Sequence, residues 1–294
     1  MSERPPWRAE VALVAAAFFF GTTFVVVQDA VDDAGPVPFL AARFLIGALV
    51  MVPVAARRRA RGPTPALGRA GLVVGGVLAL SYVLQTVGLQ YTSTQRSAFL
   101  TYLLVLFVPL IEAVVWRRVP GLHVPVGIAV ALAGVVLLTG GGLEFGAGEA
   151  LTVGCAVGFA AHIVLVGHWA PRLDLVRLNM VQLGTVGAAC LVPGALLGGY
   201  GFGAEVWVAA AYTGVAASAV AFMLQLYGQS GVGATRASLL LLMEPVFAAA
   251  IGHLTGERLG WTGAAGAALV LVALVVVEVG DRARRLPPSV PTPV

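Results

Sequence analysis

Apolar residues arrive along this chain in long blocks, not in the alternation of a half-buried strand or the stripes of a soluble amphipathic helix. Ten blocks stand out: Val11–Val31, Pro38–Ala56, Ala70–Leu89, Ser97–Trp116, Leu122–Thr139, Glu149–Trp169, Val176–Leu197, Val206–Gly228, Ala234–Leu254 and Trp261–Gly280. Each approaches the roughly 20 residues that a helix rising 1.5 Å per residue needs to cross a hydrocarbon core of about 30 Å. They are too long, and too apolar on every side, to be strands of an outer-membrane barrel. The pattern predicts an all-α, polytopic membrane protein with ten transmembrane helices.

Composition agrees. Of 294 residues, 59% are hydrophobic and 11% charged, and the mean hydropathy is +0.93, against roughly 45–50% apolar and 25% charged in a soluble domain. Only short loops and tails are left between the blocks, with no room for a separate catalytic domain. The polar start, MSERPPWRAE, precedes a block of full-span length without a small-x-small cleavage site, so we expect a retained first helix and no signal peptide.

The net charge of +4 comes from 18 arginines and no lysine, gathered between the blocks. That is a topology signal and not a nucleic-acid footprint. With the N-terminus inside, the inner loops and tails hold fifteen arginines: Arg4, Arg8, Arg57, Arg58, Arg59, Arg61, Arg69, Arg117, Arg118, Arg172, Arg177, Arg236, Arg282, Arg284 and Arg285. The outer loops hold two, Arg96 and Arg258, beside Asp29, Asp32, Asp33, Glu144, Glu149, Glu205 and Glu257. Both ends are therefore expected in the cytoplasm. All five tryptophans fall at block ends, where an indole prefers the headgroup region. A cytoplasmic tail rich in Pro and Arg is expected over 282–294, and its part after Arg285, LPPSVPTPV, is expected to be disordered.

The chain also matches itself weakly. At an offset of 140, Gln85 meets Gln225, Gly88 meets Gly228 and Arg96 meets Arg236; at 139, Gly21 meets Ala160, Thr23 meets His162, Arg43 meets Gln182 and Gly127 meets Gly266. Two units follow, 1–140 and 141–281. Each holds five blocks, and because five is odd the second unit enters the membrane inverted. Inverted halves can exchange conformations about an axis in the membrane plane, which is the geometry of alternating access.

Several stretches carry a resemblance: FFFGTTF (18–24), AARFLIGALV (41–50), GLQYTSTQRSAFLTYLLVLFVPL (88–110), the looser FAAHIVLVGHWAP (159–171), and ATRASLLLLMEPVFAAAIGHLTGERLG (234–260). Together they resemble the EamA family of the drug/metabolite transporter superfamily over essentially the whole chain. The first half departs from the second at RRVP (117–120), where the second has GERL. The resemblance implies two five-helix inverted repeats around a central cavity, and export of amino acids or other small metabolites. The small multidrug members of that superfamily carry a carboxylate in their first helix, and FFFGTTF and FAAHIVL carry none.

Ionisable groups inside a span cost a few kcal/mol on insertion scales, so each is paired, snorkelling or in a wet cavity. Glu244 stands directly before Pro245, whose missing N–H leaves the Leu241 carbonyl unpartnered. It reads either as a cation, proton or amine site, or as a structural partner of Arg43 or a helix end. Arg43 lies too deep to snorkel, and either clamps a substrate carboxylate or pairs between helices. His162 is the midspan group that titrates near neutral pH, as a proton or substrate contact or as a packed hydrogen-bonding residue. In the family resembled, its helix and that of Thr23 face the cavity. Thr22, Thr23, Gln85, Gln182 and Gln225 offer polar contacts to a cavity or between helices, and Tyr82 and Tyr102 an aromatic wall. Helix kinks are expected at Pro109 and Pro245. Glu112 and Glu278 are expected to snorkel.

Cys155 and Cys190 have no metal-binding or redox spacing, and His123, His168 and His253 no HxxxH partner, so neither metal nor cofactor is expected. No Walker motif, HExxH, GxSG or paired-Asp pattern is present, which argues against an ATPase or intramembrane enzyme. The expectation is a secondary transporter in a bacterial cytoplasmic membrane. Its partners are a small-molecule substrate, the lipid bilayer and a coupling proton or ion, not nucleic acid; monomer and homodimer both remain open. The alternative is flipping or export of a lipid-linked or hydrophobic substrate. In intact cells a membrane-impermeant maleimide should label Gly201→Cys, and should reach Ala60→Cys only after permeabilisation; the reverse pattern refutes the orientation.

Overall fold

In the computed structural model the apolar blocks are helices, and three of them are interrupted. The structure describes residues 6–58, 64–92, 94–117, 120–139, 146–254 and 260–285, without the side chains of some helical positions, Asp29, Asp32, Arg96, Glu278 and Arg282 among them. Arg4, Arg59, Arg61, Arg118, Glu144, Glu257, Arg258 and the end of the tail lie outside the described residues.

The first three helices are α1 (Pro6–Ala34), α2 (Pro36–Ala56) and α3 (Thr64–Gly88). The fourth block divides into α4 (Thr94–Tyr102) and α5 (Leu104–Trp116). Then follow α6 (His123–Thr139), α7 (Ala147–Trp169) with a short 3-10 turn (Ala170–Arg172), and α8 (Leu175–Leu197). The eighth block is α9 (Ala204–Thr213), a π-helical stretch (Gly214–Ala221) and α10 (Phe222–Gln229). The ninth divides into α11 (Ala234–Leu241) and α12 (Met243–Leu254), and α13 (Trp261–Arg285) runs four residues into the segment expected as tail. No strand occurs among the described residues. Seven helical stretches there are long and apolar enough to cross a membrane, and His123–Leu137 and Trp261–Val277 are shorter apolar helices.

Local chemistry sets several ends. The Asp174 carboxylate accepts the Arg177 N–H at 3.0 Å and caps α8. Glu149 Oε2 accepts the Gly146 N–H at 2.9 Å at the start of α7. Gly35, at φ 71°, lets the chain turn from α1 straight into Pro36, the first residue of α2. The breaks at Leu103 and Leu242 are single tightened turns, with Leu106 N–H on the Leu103 carbonyl at 2.9 Å and Leu242 N–H on the Leu239 carbonyl at 3.1 Å. Pro245 follows its break by three residues, so the carbonyl it leaves free ends α11; Pro109 lies inside α5, six residues past its break.

Helix α2 packs along α8, α6 along α13, α3 along α7 and α8, and α1 along α12, α10 and the π stretch. Lipid tails are as apolar as leucine, so helices associate through close fit and polar contacts, and small residues admit the close fit. A Cβ on Gly75 would lie 2.7 Å from the Gln182 carbonyl oxygen, and one on Gly134 2.7 Å from the Gly266 carbonyl oxygen. The Gly127/Ala131 face of α6 is turned onto α13, against Val270, Ala273 and Val277, so this small-residue stripe is spent within the chain. Outward, Leu49, Val114, Leu196 and Trp261 are exposed on the bundle surface, as a lipid-facing surface requires.

Gly75 and Gly76 are neighbours in opposite situations, since nothing lies within 4 Å of a Cβ built on Gly76. Gly75→Ala should destabilise the protein by about 1–3 kcal/mol through overpacking, whereas Gly76→Ala should be neutral or stabilise by up to about 1 kcal/mol. Thermal unfolding in detergent distinguishes the two.

Candidate functional site

Arg43 leaves α2 toward the bundle interior and is 5% exposed. Its Nε donates to Ser218 Oγ on the π stretch at 3.3 Å. Its guanidinium carbon is 5.1 Å from the Phe44 ring centroid and 5.5 Å from that of Tyr82, and the Tyr82 side chain is also a hydrogen-bond partner. A cation against ring faces and a hydroxyl is stabilised without an acid beside it.

Glu244 lies in the first turn of α12, directly after the tightened turn at Leu242, so a carboxylate in the middle of a span stands where the helical pairing changes. Its charge acts on Arg43, Tyr82 and Tyr102, but among the described residues no direct ion pair joins it to Arg43. No buried side-chain nitrogen or oxygen among the described residues lacks a partner. Glu244 is half-buried and accepts no hydrogen bond from them, so its oxygens border open space. Tyr102 is the last residue of α4, at the other break. Gly21 lets α1 close on this region, since a Cβ there would lie 3.0 Å from the Glu244 carbonyl oxygen. Gln85, one turn beyond Tyr82, donates through Nε2 to Thr101 Oγ1 at 3.2 Å.

A second polar group lies behind the first. His162 Nε2 is 3.2 Å from Gln182 Oε1, Gln182 Nε2 donates to Asn179 Oδ1 at 2.8 Å, and Asn179 Nδ2 donates to the Ala219 carbonyl at 3.0 Å. His162 is 1% exposed and Gln182 0%, so both are enclosed in packing instead of bordering open space. At the end of the π turn the Ala219 carbonyl accepts both the Phe222 N–H and the Asn179 amide. Ser218 and Ala219 are consecutive, so the Arg43 cluster and the His162 chain are fastened to the same irregular turn.

The remaining candidates separate from this pair. Gln225 Nε2 donates to Gln229 Oε1 at 3.1 Å, and Gln229 in turn to the Ile163 carbonyl at 2.8 Å. Thr22 and Thr23 each donate to their own helix, at Phe19 and Phe20, at 2.9 Å, and Thr22 Oγ1 also accepts from Tyr212 at 3.2 Å. Glu112 does not snorkel. It accepts the Thr235 N–H at 3.2 Å and the Thr235 hydroxyl at 2.6 Å, because the first N–H groups of α11 have no partner within their helix. At one end of the bundle a cavity of about 530 Å³ opens between Asp33, Phe202 and Glu205, and none of the central side chains lines it. Among the described residues, no three His, Cys, Asp or Glu are grouped to hold a metal.

Sequence reasoning missed Ser218, Asn179, Thr101 and Gln229. One signal was available: the internal match runs at 139 for Arg43 with Gln182 and at 140 for Gln85 with Gln225, and the π stretch between Gln182 and Gln225 accommodates one extra residue.

The profile of the EamA-like transporter family matches residues 7–140 and again residues 146–279. Two proteins of Archaeoglobus fulgidus, each named an uncharacterized transporter, are similar to this chain. One is 29% identical over 92% of this chain and 85% of its own length, and the other 28% identical over 91% and 95%. A protein of known crystal structure, 22% identical, superposes with a TM-score of 0.78 over 95% of this chain and 99% of its own, so the two share a fold.

Asn179→Leu removes one of the two donors to the Ala219 carbonyl and the acceptor of the Gln182 amide in a region closed to water. It should destabilise the protein by about 1–3 kcal/mol, measured by thermal unfolding, whereas Gln85→Leu, whose amide is half-buried, should cost less than half as much. Equal losses would refute the anchoring role given to Asn179.

Proposed function

Because this chain belongs to the EamA-like transporter family, we propose that it is a secondary transporter that exports a small metabolite such as an amino acid by alternating access through a central cavity. One observation carries the reading. Arg43 from the first half and Glu244 from the second approach the same region of the bundle, near enough for the charge of each to act on Tyr82 and for that of Glu244 to act on Tyr102 as well. A guanidinium and a carboxylate that are not spent on one another offer a carboxylate site and an amine site across one cavity. Glu244, which borders open space, is also the group we assign to proton or ion coupling; His162, enclosed with Gln182, supports packing.

Contacts that the repeat register exchanges support the reading of two inverted units, 1–140 and 141–281. Gly88 meets Thr152 and the Gly148 carbonyl, while Gly228 meets Leu13 and the Ala9 carbonyl. Gly187 meets Leu45, while Gly184 meets Ala48. Gly127 meets the Ala273 carbonyl, while Gly134 meets that of Gly266. The breaks at Leu103 and Leu242 are also 139 residues apart. The protein is read as a multi-pass protein of the cytoplasmic membrane with both ends inside, driven by an ion gradient or by the substrate gradient itself, and with no catalytic step.

A thermal-shift screen of the purified protein against amino acids, amines, nucleosides and lipid head groups tests this. A ligand at 100 times its dissociation constant adds about 2.7 kcal/mol to native stability, and the shift should vanish in both Arg43→Ala and Glu244→Gln. Stabilisation that survives both substitutions would remove the central site from the proposal. Stabilisation by lipid head groups alone would favour a lipid-linked substrate.

A further inference from the structure

At one end of the bundle, side chains tie three helix ends together. Glu10, in the second turn of α1, and Arg236, in the first turn of α11, form an ion pair of 2.7 Å, with side-chain exposures of 27% and 18%. Beside them Glu112, near the end of α5, holds Thr235. The backbone closes on the same point, since a Cβ on Gly228 would lie 2.7 Å from the Ala9 carbonyl oxygen and one on Gly231 2.9 Å from Ala9 Cβ.

The repeat register carries this pair to the opposite face. Glu10 maps onto Glu149 at 139, and Arg236 onto Arg96 at 140. Glu149 occupies the first turn of α7, is 5% exposed, and accepts the Thr92 hydroxyl at 2.5 Å and the Gly146 N–H at 2.9 Å. There too the backbone closes, with a Cβ on Gly148 falling 2.9 Å from the Gly88 carbonyl oxygen. Arg96 stands in the first turn of α4, which packs on α7.

We propose that the Glu10/Arg236 ion pair is a latch that holds one face shut and opens during the transport cycle, and that Glu149, held by Thr92, marks the matching closure of the other face. The inference rests on the transport reading above. The chemistry suits a latch. A pair at the membrane surface is held by charge when the helix ends meet, yet both partners are solvated when they part, so its net strength is small and it opens readily. An apolar seal at the same place would expose its surface to water on every cycle.

The test needs no substrate. In a Cys155→Ala/Cys190→Ala background, Gln85→Cys serves as a cavity reporter for a membrane-impermeant maleimide applied to right-side-out or inside-out vesicles. Glu10→Arg should raise the labelling rate from the cytoplasmic face at least fivefold, and the swap Glu10→Arg/Arg236→Glu should return it to within twofold of the parent. Glu149→Arg should raise labelling from the outer face, and labelling unchanged there removes Glu149 from the proposal. The restored rate shows that the swapped protein folds. Labelling unchanged by Glu10→Arg, or raised but not restored by the swap, overturns the latch. A protein that moves no substrate yet shows this pattern overturns the transport reading alone.

Discussion

A hydrocarbon environment offers no hydrogen bonds, so every backbone N–H and C=O within it must find a partner inside the protein. The rest of this structure depends on that constraint. It makes each apolar block a helix, and it confines departures from helix to places where something else supplies the missing partner. The two breaks, at Leu103 and Leu242, are single tightened turns that keep most backbone bonds. The π stretch is longer, and the Asn179 amide on the Ala219 carbonyl satisfies part of it.

The candidate site is built from these departures. A continuous helix through the ninth block would bury Glu244 among backbone groups already paired to each other. The break instead tightens one turn directly before Glu244, where Pro245 leaves the Leu241 carbonyl without its usual donor. A regular α-helix through 214–221 would likewise present a different face to α2. The π turn instead gives Ser218 to Arg43 on α2 and Ala219 to Asn179 on α8, and Gly47 and Gly214 allow α2 to come close enough for the first of these contacts. Irregular backbone, close approach through glycine and placement of charged side chains are here one arrangement.

Polar residues with similar sequence signals therefore end in different roles. Arg43 and Gln182 are repeat mates, yet one holds a cation among Phe44, Tyr82 and Ser218 and the other is a fully enclosed link between His162 and Asn179. Gln85 and Gln225 are mates as well, and reach Thr101 and Gln229 respectively. Glu112 shows the same limit: its depth in the fourth block suggested a side chain reaching for the headgroups, and the neighbouring start of α11 captured it instead.

The chain alone determined the helical class, the block boundaries to within a few residues and the arginine asymmetry, because each depends on local hydropathy, length and charge. It also carried the weak match at 139 and 140 and the residues of the MEPVFAA stretch. Only the tertiary structure decided that the fourth and ninth blocks break at Leu103 and Leu242, that the eighth contains a π turn, and that His162 is enclosed while Glu244 borders open space. Those outcomes depend on which helices lie side by side and on where a carbonyl left free by one helix meets an amide from another. Partners such as Arg43 and Ser218, 175 residues apart in the chain, are set by that packing and have no trace in local sequence.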